Sequence, residues 1–281
     1  MKILITGAKG MLGTDLSKAL ADHNEVISLS RNDLDVTKRE DCISVVKSYG
    51  PDIVVNCAAY TMVDVAEKEV DLAFAINGNG AQNVALACEE AGIPICHIST
   101  DYVFDGERQT PYTPFDSTNP LNTYGESKLA GEEYIKWISS KFYIVRTSWL
   151  YGEHKKNFVY TIQKLASEDN ELRIVCDQIG SPTWTMNLAK GIGALIDTGA
   201  YGIYNITDDS EGGVSWYGFA QEIVRLFGKD NNIVPIPTDE YPTPAKRPRY
   251  SVLDLSLNEP VFGHKAPAWD RSLSEFISTI K

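Results

Sequence analysis

The chain has 281 residues, 43% of them hydrophobic, and a formal net charge of −12. That size and apolar content support one large α/β domain or two modest ones. The acidic balance argues against a nucleic-acid partner or an anionic membrane surface, although a few local cations and helix N-termini suffice to hold an anionic small molecule. Cys42, Cys57, Cys88, Cys96 and Cys176 are an odd set without a Cys-x-x-Cys pair, and most fall in apolar runs. They read as buried free thiols of a reducing compartment. The four histidines lack metal-ligand spacing, and His97 reads as a core residue. No signal-peptide pattern and no apolar stretch of membrane-spanning length is visible, so a cytoplasmic protein is expected.

Lys2-Ile3-Leu4-Ile5-Thr6 is a β-branched apolar run that predicts a buried strand. It runs into Gly7-Ala8-Lys9-Gly10-Met11-Leu12-Gly13, and Leu12, Leu16, Ala19 and Leu20 then recur at helical spacing. A strand, a glycine loop and a helix in this order form the context of a dinucleotide-binding turn. Gly7 permits the turn, Gly10 lets backbone approach a pyrophosphate, and Gly13 lets helix and strand pack closely. A second strand, from Glu25, ends at Ser30-Arg31-Asn32. An NAD site usually carries a carboxylate there. Arg31 instead suits a 2′-phosphate and favours NADPH, with NADH left open and an exposed loop arginine the competing reading. Asp35 and Val36 are candidates to lie beside an adenine ring, or Asp35 or Thr37 serves only as a helix cap.

Pro51 to Asn56 predicts a third strand, and the small residues Cys57, Ala58 and Ala59 with Tyr60 follow at its end, where a cofactor can lie close. Asn77 interrupts the next helical pattern, either to orient nearby backbone or to tolerate a bend. Ile93 to Asp101 predicts a fourth strand ending in Ser99-Thr100-Asp101, which places the Thr100 hydroxyl to donate to a substrate oxygen. After a proline-rich loop comes Tyr124-Gly125-Glu126-Ser127-Lys128. Residues four apart share one helix face. An ammonium beside a phenol stabilises the phenolate, so Tyr124 and Lys128 form a pair able to exchange a proton with a carbonyl or hydroxyl. A fifth strand runs from Phe142 to Thr147. The alternation predicts an α/β fold, a Rossmann-type doubly wound parallel sheet with both motifs at its carboxyl edge.

Further on, Asn157 to Ser167, Trp184 to Ile196 and Trp216 to Phe227 read as helices, and Leu172 to Cys176 and Gly202 to Thr207 as strands. Lys246, Arg247 and Arg249 stand out in a proline-rich segment of an acidic chain and suit a diphosphate, Arg247 first. A smaller, interleaved C-terminal substrate-binding lobe is expected. The division is 1–148 plus 171–207 for the NAD(P)-binding domain and 149–170 plus 208–281 for the substrate-binding lobe.

The set Thr6-Gly7-x-x-Gly10-x-x-Gly13, Asn56-Cys57-Ala58-Ala59, Ser99 to Gly106 and Tyr124-Gly125-x-Ser127-Lys128 resembles the extended short-chain dehydrogenases/reductases. Arg146 to Gly152, Asp177-Gln178-x-Gly180-x-Pro182-Thr183 and Arg247-Pro248 resemble, within them, the dTDP-4-dehydrorhamnose reductase family. That resemblance implies NADPH-dependent reduction of the C4 ketone of dTDP-4-dehydro-L-rhamnose to dTDP-L-rhamnose, the last step in making that sugar nucleotide. It implies Tyr124 as proton donor, Lys128 on the nicotinamide ribose and Thr100 bonding the carbonyl oxygen. Gly10, Met11, Leu12, Ala58, Ala59 and Tyr60 would line the cofactor, and Asp101 and Trp149 would contact the dTDP-sugar. Some relatives hold magnesium between subunits; no such acidic site is located in this sequence, and a homodimer is left open. Two other readings are set beside it. One is a non-catalytic NADP-binding regulatory subunit resembling that of methionine adenosyltransferase, against which the intact Thr–Tyr–Lys set argues. The other is an NDP-sugar epimerase or dehydratase, which would return the hydride to the sugar.

Overall fold

In the computed structural model, which describes residues 1–168 and 171–281, Lys2–Thr6 forms β1, the first strand of a six-stranded sheet. Its partners are Glu25–Leu29 (β2), Ile53–Asn56 (β3), Ile95–Thr100 (β4), Phe142–Thr147 (β5) and the later strand Gly202–Asn205. The order across the sheet is Gly202–Asn205, β5, β4, β3, β1, β2, and every pairing is parallel. This confirms the doubly wound α/β expectation. Strand side chains alternate between faces, and here both faces are apolar. Ile3, Ile5 and Val55 pack in one cluster, whereas Leu4, Val54 and Ile144 pack in another. A parallel sheet covered on both sides reads as a continuous hydrophobic run for this reason.

The helix Met11–Leu20 (α1) lies on the first face, with Leu12, Leu16 and Leu20 turned inward beside Leu188 and Ile192 of the helix Thr185–Ile196. Arg39–Tyr49 (α2) lies on the second face. Val63–Ala66 (α3) and Val70–Phe74 (α4) lead through a π-helical turn, Ala75–Asn79, into Gly80–Ala91 (α5), and Thr123–Ile138 (α6) follows the proline-rich loop. Asn77 stands inside the π turn, fully buried. Its Oδ1 accepts from the Tyr60 N–H (2.8 Å), and its Nδ2 donates to the Tyr60 carbonyl (3.0 Å) and the Ser127 hydroxyl (2.9 Å). Both readings of this residue therefore hold. The widened turn admits a polar side chain, which clamps the segment after β3 to α6.

The second cluster of elements is aromatic. Phe158–Ser167, Trp216–Leu226 and Trp269–Ile280 enclose Tyr151, Val159, Phe219, Leu273 and Phe276. Leu172–Val175, which the sequence division groups with the cofactor domain, pairs in parallel with Ile233–Ile236 and not with the main sheet, and Leu172 packs in this aromatic core. Its short apolar pattern carries no record of which sheet it joins. The division point at residue 170 lies outside the described residues. No helix among the described residues is long and apolar enough to cross a membrane.

Candidate active site

At the carboxyl edge of the sheet, β1 hands over to the glycine turn. Gly7 has φ +63°, and a Cβ there would sit 2.7 Å from the Ala58 nitrogen, so the first glycine is required by both conformation and close approach. A Cβ on Gly13 would meet the Gly7 carbonyl at 2.5 Å. Gly10 is the N-cap of α1 with extended backbone and no side-chain cap, leaving the first amides of the helix, from Met11 onward, directed out of its end. An uncapped N-terminus behind a tight glycine turn fits a dinucleotide diphosphate. Ala58 and Ala59 follow β3 with small side chains, the Ala58 backbone packed against Gly7, and Tyr60 is buried, its hydroxyl donating to Glu69 (2.7 Å).

At the tip of β2, Arg31 is exposed. Beyond it Asp33 folds back on the strand tip, its Oδ2 accepting from the Ser30 N–H (2.9 Å) and hydroxyl (2.6 Å). Those two bonds hold the Asp33 carboxyl below its usual range. The turn from Ser30 to Asp33 is a short Ser-x-x-Asp pattern that the sequence contained and that was passed over. Asp35 accepts from the Thr37 N–H and hydroxyl in a local turn and does not cap α2, whose N-cap is Lys38 without a side-chain cap bond, and Val36 is buried with its carbonyl accepting from Asn83 (2.9 Å).

The end of β4 carries the chemistry. Thr100 and Asp101 are buried, and the Thr100 hydroxyl donates to Asp101 Oδ1 (3.0 Å). Asp101 Oδ2 is buried without a hydrogen-bond partner among the described residues. Burial pushes the Asp101 carboxyl up to about 7. Tyr124 comes to this pair from α6. Its ring meets Tyr102 edge-on at 5.8 Å and packs with the cluster of Tyr60, Ala66 and Ala73. Burial pushes the Tyr124 phenol up to about 12, the Thr100 hydroxyl opposing and the Asp101 carboxyl adding to the rise. Lys128, one turn later, is buried; its Nζ donates to the Ile98 carbonyl and lies 3.2 Å from His97 Nε2. Burial lowers the Lys128 ammonium to about 8. The structure thus brings Thr100, Asp101, Tyr124 and Lys128 together beside the glycine turn.

The start of α6 explains why its motif reads Asn-Thr-Tyr-Gly. Asn122 is the N-cap, its Oδ1 accepting from the Gly125 N–H (2.8 Å), while its Nδ2 donates to the Lys246 carbonyl (2.8 Å). A Cβ on Gly125 would stand 2.2 Å from the Tyr102 carbonyl, so only glycine lets the helix press against the loop after β4. The same Asn122 bond ties the catalytic-motif helix to the basic segment. There Arg247 is held in a fork by Asp64, at 3.0 and 2.8 Å, and is four-fifths buried. Arg247 with Lys246 and Arg249 lines a cavity of about 1100 Å³ shared with Arg108, Tyr241 and Tyr250.

Trp149 lies two residues beyond the end of β5, with the left-handed φ of 46° that a bulky residue seldom adopts. Its ring stacks on Trp216 at 3.5 Å and 7°, and a Cβ on Gly180 would strike it at 2.5 Å. Trp216 was read only as a helix residue. The ion pair of Glu132 and Arg146 beneath the site was also missed. It is buried, with Arg146 donating twice to the carboxylate (3.0 and 2.6 Å), once to the Pro114 carbonyl, and lying over the Phe104 ring. Among the described residues no group of three or more His, Cys, Asp or Glu side chains is arranged to hold a metal.

A parallel sheet with an uncapped glycine-turn helix and a Thr–Tyr–Lys set at one edge defines an oxidoreductase of the short-chain dehydrogenase/reductase type. The model of the RmlD substrate binding domain matches residues 1–281. The chain is 40% identical, over 96% of its length and 95% of the relative's, to a dTDP-4-dehydrorhamnose reductase of Burkholderia thailandensis. It superposes with a TM-score of 0.96 on the crystal structure of a dTDP-4-dehydrorhamnose reductase from Clostridium acetobutylicum, at 44% identity and covering 100% and 99% of the two chains. A Bacillus anthracis dTDP-4-dehydrorhamnose reductase in complex with NADP superposes at 0.95, with 40% identity over 99% and 100%. The chain belongs to the RmlD substrate-binding-domain family, that of the dTDP-4-dehydrorhamnose reductases.

Proposed function

We propose that this protein reduces the C4 ketone of dTDP-4-dehydro-L-rhamnose with NADPH, giving dTDP-L-rhamnose. The observation that carries the reading is the convergence of Thr100, Asp101, Tyr124 and Lys128 at the mouth of the glycine turn, within a full-length relationship to reductases of that name. NADPH, when bound, supplies the hydride to the carbonyl carbon. The chain's residues handle the oxygen. Thr100 donates a hydrogen bond to it, and Tyr124 delivers the proton as negative charge develops. Lys128 holds the nicotinamide ribose and steadies the tyrosinate that remains. Gly7, Gly10, Met11, Leu12 and Gly13 take the diphosphate. Ala58, Ala59 and Tyr60 flank the nicotinamide half, and Arg31, Asp35 and Val36 lie at the adenosine half.

For the sugar nucleotide, the unpartnered oxygen of Asp101 supports a bond to a sugar hydroxyl, and the Trp149 ring supports an apolar face. Arg247 faces the diphosphate from the cavity beyond. We keep the two-part division, with the strand Leu172–Val175 counted in the lobe that its pairing supports. Five free thiols fit a reducing cytoplasm. A regulatory subunit has no use for the buried proton-exchange set, and an epimerase consumes no reduced cofactor. The test is stoichiometric oxidation of NADPH with dTDP-4-dehydro-L-rhamnose and identification of the product sugar. Cofactor binding without turnover, or recovery of unreduced epimer, would refute the reading.

A further inference from the structure

Thr6, Asn56 and His97 stand side by side in register across three neighbouring strands, and all three are buried. They form one hydrogen-bonded row that ends on Lys128. Donor and acceptor identities along it are constrained. The Ala58 N–H can only donate, and it points at Asn56 Oδ1 (3.3 Å), as does the Thr6 hydroxyl (2.6 Å). Asn56 Nδ2 therefore faces His97 Nδ1 (3.1 Å), and an amide nitrogen only donates. His97 Nδ1 must then accept, which leaves the neutral ring's proton on Nε2. Nε2 lies 3.2 Å from Lys128 Nζ. An ammonium has no lone pair to accept that proton; a neutral amine has one.

We propose that Asn56 and His97 are positioning residues for Lys128. Asn56 locks His97 as the Nε2–H tautomer, and that N–H, aimed at Nζ, weakens the hold of Lys128 on its proton. The lock itself depends on Ala58, in the segment packed against Gly7, so the lysine is wired to the glycine turn. The surroundings agree. Burial holds His97 neutral, well below its ordinary range, and burial lowers Lys128 as well. Glu132 from α6 and Cys57 after β3 act on Lys128 in the opposite sense, and Tyr124 lies one turn away on its own helix. The bearing on catalysis rests on the reductase reading; the tautomer and the Lys128 titration do not.

The test is nuclear magnetic resonance on the full chain with ¹⁵N-histidine and ¹³C,¹⁵N-lysine. His97 is expected to show the Nε2–H tautomer at neutral pH; an Nδ1–H tautomer overturns the proposal, whatever the variants do. Asn56→Asp offers an acceptor in place of the amide donor. It should switch His97 to Nδ1–H, present the Nε2 lone pair to Lys128, and raise the lysine's proton affinity at least tenfold. An unchanged Lys128 midpoint with a switched tautomer overturns the proposal. The new carboxylate's field alone would raise the midpoint equally in Asn56→Asp/His97→Leu, and an equal rise there overturns it too. In turnover, the pH profile of kcat should move with the Lys128 midpoint while KM for the sugar nucleotide stays put.

Discussion

The two sides of the cleft, as proposed here for cofactor and for sugar nucleotide, are built on different principles. The cofactor side is made by backbone: a turn at Gly7, close contacts at Gly13, amides at the head of α1, and strand ends held in register. The sugar side is made by side chains brought from segments far apart in sequence, such as Arg247 forked onto Asp64, Asn122 bonded to Lys246, and Trp149 stacked on Trp216. Backbone geometry tolerates few residue types and leaves a compact motif. Side-chain assemblies need only that the fold deliver suitable partners, so they leave scattered single residues.

That contrast can be tested by graded substitutions. Tyr124→Phe keeps the ring in its cluster and removes the proton donor; kcat with the 4-keto sugar nucleotide should fall by about a hundredfold or more, with NADPH affinity retained. On the backbone side, Gly13→Val places a side chain against the Gly7 carbonyl. Fluorescence titration should show NADPH affinity reduced at least tenfold, with sugar-nucleotide binding less affected. Glu132→Ala strands the buried Arg146 guanidinium under both sides at once, and denaturant unfolding should report a loss of about 3–5 kcal/mol. On the sugar side, Arg247→Met should raise KM for the dTDP-sugar by about tenfold, the scale of one charge-assisted contact, and leave NADPH binding unchanged. Equal damage to both ligands from Gly13→Val and Arg247→Met would erase the distinction.

A further effect concerns pH. Asp208, in the lobe, accepts from the Trp184 N–H (3.0 Å) and from Asn187 (3.0 Å), and burial pushes its carboxyl up to about 7 from an ordinary 3.8. A carboxyl raised on folding binds its proton more tightly in the folded chain. Its contribution is fully present below the ordinary value and is lost as pH rises through about 7. Comparing wild type with Asp208→Asn cancels the histidines and lysines common to both. The stability difference should turn against the wild type between pH 4 and pH 8, and a constant difference across that range would contradict the assignment.

Much of the site was readable in the chain because it is local. The glycine spacing, the Thr100–Asp101 strand end and the Tyr124–Lys128 step are each contained within a few residues, and the structure brings them to one edge. What escaped was long-range. His97 reads as a core histidine and is one, at 0% exposure, yet its contact with Lys128 depends on how α6 lies across β4. Asp33 was overlooked because it sits four residues past the end of β2 and folds back on Ser30. Leu172–Val175 was grouped with the cofactor domain and pairs instead with Ile233–Ile236, because a four-residue apolar run is compatible with either sheet.

By itself, then, the order of residues determined the alternation of strand and helix, the turn able to receive a dinucleotide, and the phenol–amine pair. Those follow from periodicity, from backbone freedom and from spacing along one helix, all of which are short-range. Only the tertiary structure decided which strands become neighbours, which side chains partner Arg247 and Trp149, and which buried ring meets the lysine. Such choices depend on register and packing between distant segments, where each polar group's partner is set by what the whole fold leaves within reach.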